Sequence, residues 1–281
     1  MIQTIRKAWG IPELRKKIIF TLLILLIFRI GNAITVPYVD VGLLETYLDQ
    51  MGGTILGLYN VMSGGAFAQA TVFALSIQPY INASIIIQLL TVAIPALERM
   101  AREEGEEGRK KIASITRYTT VGIGLIQGFA YYMLMRNQYN ILTNDSIAAA
   151  FVIIVTFVAG SAFIMWLGEQ ITEFGIGNGI SIILFAGILS RIPNMVSGMV
   201  DGVQKWSAIK AGTLTLDSLT SAGYTETQAQ SYLDSALSPW GIVLLIIGML
   251  LLIAFIVFIN DAERRIPIQY AKRQVGRKMY G

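Results

Sequence analysis

Residues 239–259 read PWGIVLLIIGMLLLIAFIVFI, a run with no charged side chain. A hydrocarbon core about 30 Å thick is crossed by roughly 20 such residues as a helix, so this run is long enough to span. Similar runs begin near Ile18, Thr71, Tyr118, Ile147 and Ile176. Together they predict six crossings. Lipid is therefore the solvent that shapes the fold, and helices are required because each satisfies its own backbone polar groups. The apolar fraction of 54% and mean hydropathy of +0.60 place the whole chain in the same class.

Charge then orients the spans, because Lys and Arg near span ends stay on the cytoplasmic side. With the N-terminus inside, the inner segments hold five before the first span, six between the second and third, none between the fourth and fifth, and six after the sixth. That is seventeen on the inner side, against four outside: Arg136, Arg191, Lys205 and Lys210. Arg29 alone lies within a span, where snorkelling or pairing to a carbonyl accounts for it. The net charge of +4 follows from this orientation and requires no nucleic acid. The first apolar run is too long for a signal-peptide core and lacks a small-residue cleavage site, so it reads as a retained first span.

The composition also excludes chemistry. With no Cys and no His, the chain has no disulfide framework, no thiolate or imidazole catalyst and no Cys or His metal site. All eighteen acidic residues lie at or beyond predicted span ends, which disfavours a coupled transporter with a midplane carboxylate. No cofactor, metal or enzymatic activity is expected.

Between the first two spans, GGTILGLYNVMSGGAFAQATVFAL is apolar but interrupted by glycines, within a stretch that carries no charge from Met51 through Ile94. Such a segment is too broken to span and too apolar for an ordinary loop. It is expected either to line a cavity, where irregular backbone is tolerated at membrane depth, or to cap the protein as an interfacial re-entrant loop. The next span opens on SIQPYINAS, with Ile77 and Ile81 four apart on one face and Gln78 and Asn82 on the adjacent one. The fifth repeats the pattern: a weakly helical GIGNG, then Ile180 and Leu184 four apart. Apolar residues so spaced are ordinarily core or lipid contacts. The segment ERMAREEGEEGRKKIASITR reads as a solvated loop, the outer segment 201–238 as a loop with one short helix, and Leu25 as a lipid-facing residue of the first span.

Three stretches, NVMSGGAFAQATVFALSIQPYINASIIIQLL, MWLGEQITEFGIGNGISIILFAGI and ERRIPIQYAKRQVGRKMYG, closely resemble signature regions of SecY, the channel subunit of the bacterial Sec protein translocase. The resemblance runs in order along essentially the whole chain. It implies an all-α polytopic membrane protein, a SecY-type inverted-repeat bundle represented by its N-terminal half plus helix six, with the second half missing. Residues 1–17 would be a cytoplasmic segment and 18–200 a first pseudo-repeat of five helices, with a plug at 55–70 and a pore and lateral-gate helix at 71–94. An extracytoplasmic loop at 201–238, a sixth helix at 239–260 and a truncated basic docking loop at 261–281 would follow.

By the same resemblance Asn60, Met62, Ser63, Gly64 and Gly65 belong to the plug, and Ile77, Ile81, Ile180 and Leu184 to an aliphatic pore ring. Asn82 and Gln88 fall on the lateral gate. Arg264, Arg265, Lys272, Arg273, Arg277 and Lys278 dock the SecA motor and the ribosome, whose RNA phosphates suit basic side chains interleaved with Tyr270. The implied activity is passage of unfolded secretory polypeptides across the bacterial cytoplasmic membrane and lateral release of apolar segments into lipid, with the N-terminus cytoplasmic. The implied partners are SecE, SecG, SecA, the ribosome, the signal-bearing polypeptide and lipid. A small-solute transporter built on broken helices and a non-conducting scaffold are the competing readings.

Overall fold

A computed structural model describes residues 9–50, 54–102, 104–137, 141–262, 273–275 and 278–280. The chain is almost entirely helical and divides into two compact units, Met1–Pro193 and Asn194–Gly281. In the first unit the helices are α1 (Pro12–Gly31), α2 (Val41–Gln50), α3 (Ile55–Met62), α4 (Gln78–Ala93), α5 (Pro95–Arg102), α6 (Gly105–Asn137), α7 (Ile147–Phe174) and α8 (Gly179–Leu189).

The predicted spans are found as helices, with corrections. The second begins at Gln78, not at Thr71: residues 63–77 run through successive turns, with Ala70 and Ser76 at φ of 42° and 50°. An apolar run marks the environment, whereas Pro79 near the helix N-terminus marks where the backbone becomes helical. At the other end Ile94 is extended (φ −108°, ψ 113°), as a residue before proline is driven to be, and α5 leaves α4 at a bend of 102°.

The charged segment read as a solvated loop is mostly helical among its described residues. It forms α5 and the first turns of α6, held by Glu98–Arg102 at 3.4 Å and by Lys111, which contacts Glu104 at 3.0 Å and Glu107 at 3.5 Å. The Glu104 hydrogen bond, seconded by both carboxylates, raises the Lys111 pKa above its ordinary value. Its Ala, Glu, Arg and Lys content favours helix wherever water or tertiary packing permits.

Three described stretches are long and apolar enough to cross a bilayer by composition alone, Ile147–Phe174, Gly179–Lys210 and Pro239–Asn260, and the bent α4–α5 pair adds a fourth. α1 and α6 cover the first and third predicted runs but dilute them, α1 with Arg15, Lys16, Lys17 and Arg29, α6 with glycine, threonine and tyrosine. Arg29 is exposed in the last turn of α1, as snorkelling requires. Leu25, expected to face lipid, is half-buried in the core instead.

Two clusters make the core of the first unit. The first gathers Val36, Leu44, Phe67, Leu75, Tyr131, Met135 and Phe157 from the turns around α2, α3, α6 and α7. The second gathers Ile24 and Phe28 of α1, Phe73, Ile77, Ile164, Leu167 and Ile171 of α7, and Ile183 of α8.

The second unit holds α9 (Ile192–Lys210, which starts at the unit boundary), α10 (Leu216–Ser221), α11 (Glu226–Asp234) and α12 (Pro239–Asn260). The outer segment 201–238 is thus mostly helical. Thr215 and Thr225 each close a capping box at the start of α10 and α11, a signal that the polar composition obscured. Lys205 joins these pieces, donating to Ser235 Oγ at 2.8 Å and lying 3.9 Å from the Tyr232 ring. Among the described residues α12 has none buried, as expected of a helix that is apolar all round and meets lipid or other spans. The antiparallel strands β1 (Arg273–Val275) and β2 (Lys278–Tyr280) follow, with Val275 opposite Lys278.

Candidate functional site: an aliphatic ring and its seated plug

The four ring candidates come together. Ile77 is fully buried as the residue preceding α4, and Ile81, Ile180 and Leu184 pack half-buried against the same cluster. Two different elements supply the pairs. α4 carries Ile81 one turn beyond Ile77, with the Ile81 N–H donating to the Ile77 carbonyl at 3.1 Å. α8 carries Ile180 and Leu184, and its start is fixed by Asn178, whose Oδ1 accepts from Ile180 N at 3.1 Å and Ser181 N at 3.2 Å. GIGNG is therefore a built N-cap and not merely a flexible entry. A methyl group on Gly179 would overlap the Gly168 carbonyl oxygen, so this glycine sets how closely α8 approaches α7.

The plug candidates form a compact knot that packs into the first core cluster through Phe67. Asn60, buried in α3, uses its Oδ1 to accept from Ala68 N at 3.0 Å, while its carbonyl accepts from Gly65 N at 2.8 Å and Ser63 Oγ at 3.1 Å. Ser63 Oγ in turn accepts from Phe67 N at 3.0 Å. Gly64 and Gly65 turn the chain with φ of +71° and +93°, a region that side chains rarely adopt. Phe67 stacks on Tyr131 at 4.2 Å between centroids, and the Tyr131 hydroxyl donates to the Phe67 carbonyl.

Two contacts seat the knot on the ring elements. Gln78 Nε2 donates to the Met62 thioether at 3.0 Å, tying the first residue of α4 to the last of α3. Gly64 lies against Gly187 of α8 so closely that a Cβ at Gly187 would come within 2.9 Å of the Met62 carbonyl oxygen. Gly187 was not legible as a site residue: a lone glycine in an apolar run gives no sign of what crosses it.

Of the gate candidates, Asn82 is half-buried and its side chain forms no hydrogen bond among the described residues; Gln88 is exposed and reaches Ser84 Oγ at 3.5 Å. Arg264, Arg265, Lys272 and Arg277 lie outside the described residues, and Arg273 and Lys278 lie on β1 and β2. Sequence reasoning also missed the pair formed by Arg117 Nε and Glu169 Oε1 at 2.9 Å, because its partners are fifty-two residues apart.

The four side chains are aliphatic and the segment against α4 and α8 carries no charge, and an aliphatic constriction is the kind of surface that can gate by dewetting.

The family model described as SecY matches residues 71–281. The protein translocase subunit SecY of Streptomyces scabiei is 40% identical over 292 residues, covering 100% of this chain and 60% of that protein. The Escherichia coli K12 protein translocase subunit SecY is 38% identical over 276 residues, covering 96% of this chain and 55% of that protein. The chain thus spans 55–60% of the length of these relatives. Sec61 in the canine ribosome-channel complex from the endoplasmic reticulum shares the fold, with a TM-score of 0.51, 17% sequence identity, and coverage of 94% of this chain and 54% of that one. With three-quarters of its length matched by one family model and its fold shared with Sec61, the chain is a multi-pass membrane protein of the SecY family.

Proposed function

We propose that the chain is the N-terminal portion of a protein-conducting channel that passes unfolded secretory polypeptides across the bacterial cytoplasmic membrane. Its N-terminus is cytoplasmic, in keeping with seventeen inner and four outer Lys and Arg. Ile77, Ile81, Ile180 and Leu184 form part of a deformable gasket around an extended chain. Asn60 and Met62 to Gly65 form the plug. Asn82 and Gln88 line a lateral gate through which sufficiently apolar segments leave for lipid, driven by the favourable burial of each apolar side chain. The observation that carries this reading is the seating of an uncharged, glycine-turned knot directly on the elements that hold the four aliphatic residues.

The small subunits SecE and SecG, the SecA motor and the ribosome are the proposed partners. The basic segment 261–281 docks the motor and the ribosome; Sec61 in its ribosome complex supports the latter. Relatives named translocase subunits favour this reading over a solute transporter or a scaffold.

The absence of native cysteine makes the test direct. Ile81→Cys, and Leu26→Cys as a control at a residue 61% exposed, are placed in membranes holding the assembled translocase, and a precursor with one cysteine is arrested in transit. A disulfide to Ile81→Cys but not to Leu26→Cys is expected. No adduct at Ile81→Cys with the precursor demonstrably engaged overturns the ring assignment.

A further inference from the structure

A cavity of about 470 Å³ opens beside the ring, and the ring does not account for its chemistry. Its walls include Tyr80, Arg117, Trp166, Glu169, Glu173 and Ile180. Ile180 belongs to both the cavity and the ring, and Tyr80 packs on the ring cluster next to Ile81, so whatever fills the cavity lies against the channel entrance. Glu169 and Glu173 come from the last turns of α7, the end that the charge distribution places inside.

The electrostatics are unlike the surroundings. The inner segments carry seventeen Lys and Arg, yet the charged side chains that line this cavity are two carboxylates and one guanidinium. Arg117 is committed to Glu169 Oε1 at 2.9 Å. Glu173 is exposed and forms no ion pair among the described residues, which leaves the cavity with an uncompensated negative charge. Trp166, half exposed and stacked on Phe163 at 5.7 Å, adds an aromatic wall of the kind that attracts ammonium and guanidinium groups. Gln170 and Asn178 supply amides at the rim.

Resting on the channel reading above, we propose that this cavity receives the positively charged segment that precedes the apolar core of an entering signal peptide, with Glu173 as its counter-charge and Trp166 as its cation-binding wall. Secretory signals have a basic start followed by an apolar run of about 7–15 residues. A lysine or arginine held here stays on the inner side while the apolar run, a few residues on, reaches Ile180 and Ile81. The cavity thus acts on orientation: it retains the basic end and leaves the apolar run to choose between pore and lipid.

The test is a charge exchange in membranes holding the assembled translocase. Glu173→Gln and Glu173→Lys are compared with the parent on two precursors, one with a lysine-rich start and one with those lysines replaced by glutamate, and import rates and the disulfide to Ile81→Cys are read together. Glu173→Lys is expected to slow the basic precursor about fivefold and to speed the acidic one, with Glu173→Gln between, as one solvent-exposed charge pair turned from attraction to repulsion permits. An equal effect on both precursors, or one that follows the charge of the membrane lipid instead of the precursor, overturns the proposal. Rates indifferent to the exchange, with the Ile81→Cys disulfide intact, overturn it while leaving the channel reading standing. Loss of that disulfide for both precursors in the parent overturns the channel reading itself.

Discussion

Gly187 is where the proposed plug rests on the ring helix, and Gly187→Ala separates the seat from the helix. The residue lies within α8 at an ordinary helical conformation, so alanine improves helix propensity by about 1 kcal/mol. That gain applies equally to the seated and unseated plug and cancels between them. What does not cancel is the new Cβ, 2.9 Å from the Met62 carbonyl oxygen and 3.6 Å from Gly64 N. Both are backbone atoms within the glycine-turned knot, so neither can swing aside, and the plug must lift. Overpacking of this kind costs about 1–3 kcal/mol, which favours the unseated state by about 5–150-fold. Ion conductance of planar bilayers containing the idle translocase reads that population. Leak is expected to rise from Gly187 to Gly187→Ala and again to Gly187→Val, while the thermal midpoint of the purified complex stays level or rises for alanine. A parental leak in Gly187→Val would refute the seat.

Asn60→Ala leaves the buried Ala68 N–H without its acceptor, at a cost of about 1–3 kcal/mol; raised idle conductance with unchanged assembly is expected. Phe67→Ala removes a ring stacked at 4.2 Å on Tyr131 and is expected to cost about 3–5 kcal/mol, read as a lowered thermal midpoint of the detergent-solubilised complex. Arg117→Ala breaks a pair whose side chains are 52% and 25% exposed, so its effect on the same midpoint is expected to stay below about 1 kcal/mol; a larger loss would show that the pair is a structural clamp. Neutralising Arg277 and Lys278 together is expected to weaken ribosome binding and to flatten its dependence on salt, measured by co-sedimentation across a salt series.

Much of this architecture was legible because lipid imposes a simple rule. Runs of apolar residues with basic flanks mark spans, and six such runs lead to six helical regions. The errors share a cause: hydropathy reports what surrounds a residue and not what its backbone does. Residues 71–77 are as apolar as a span and yet turn repeatedly, because Gln78 and Pro79 start the helix after them. Pro95–Arg102 and the start of Gly105–Asn137 are charged enough for a loop and yet helical, because their composition suits helix in water. At the site, period alone put Ile77 with Ile81 and Ile180 with Leu184 on one face each, while only the family resemblance joined the two pairs. The Asn60 cap, the Met62–Gln78 tie and the Gly187 seat were not readable, since each depends on which distant segment arrives beside it.

The segment from Ile55 to Ser76, helix and turns together, contains no ionisable acid or base of the Asp, Glu, Lys or Arg kind. A unit charge crossing the membrane field exchanges about 2.3 kcal/mol of work per 100 mV, which is how voltage-gated proteins are opened. If this segment is the plug proposed above, the field finds no formal charge on it to pull, and the membrane potential is expected not to unseat it; its release would then be left to a chain entering between the aliphatic side chains.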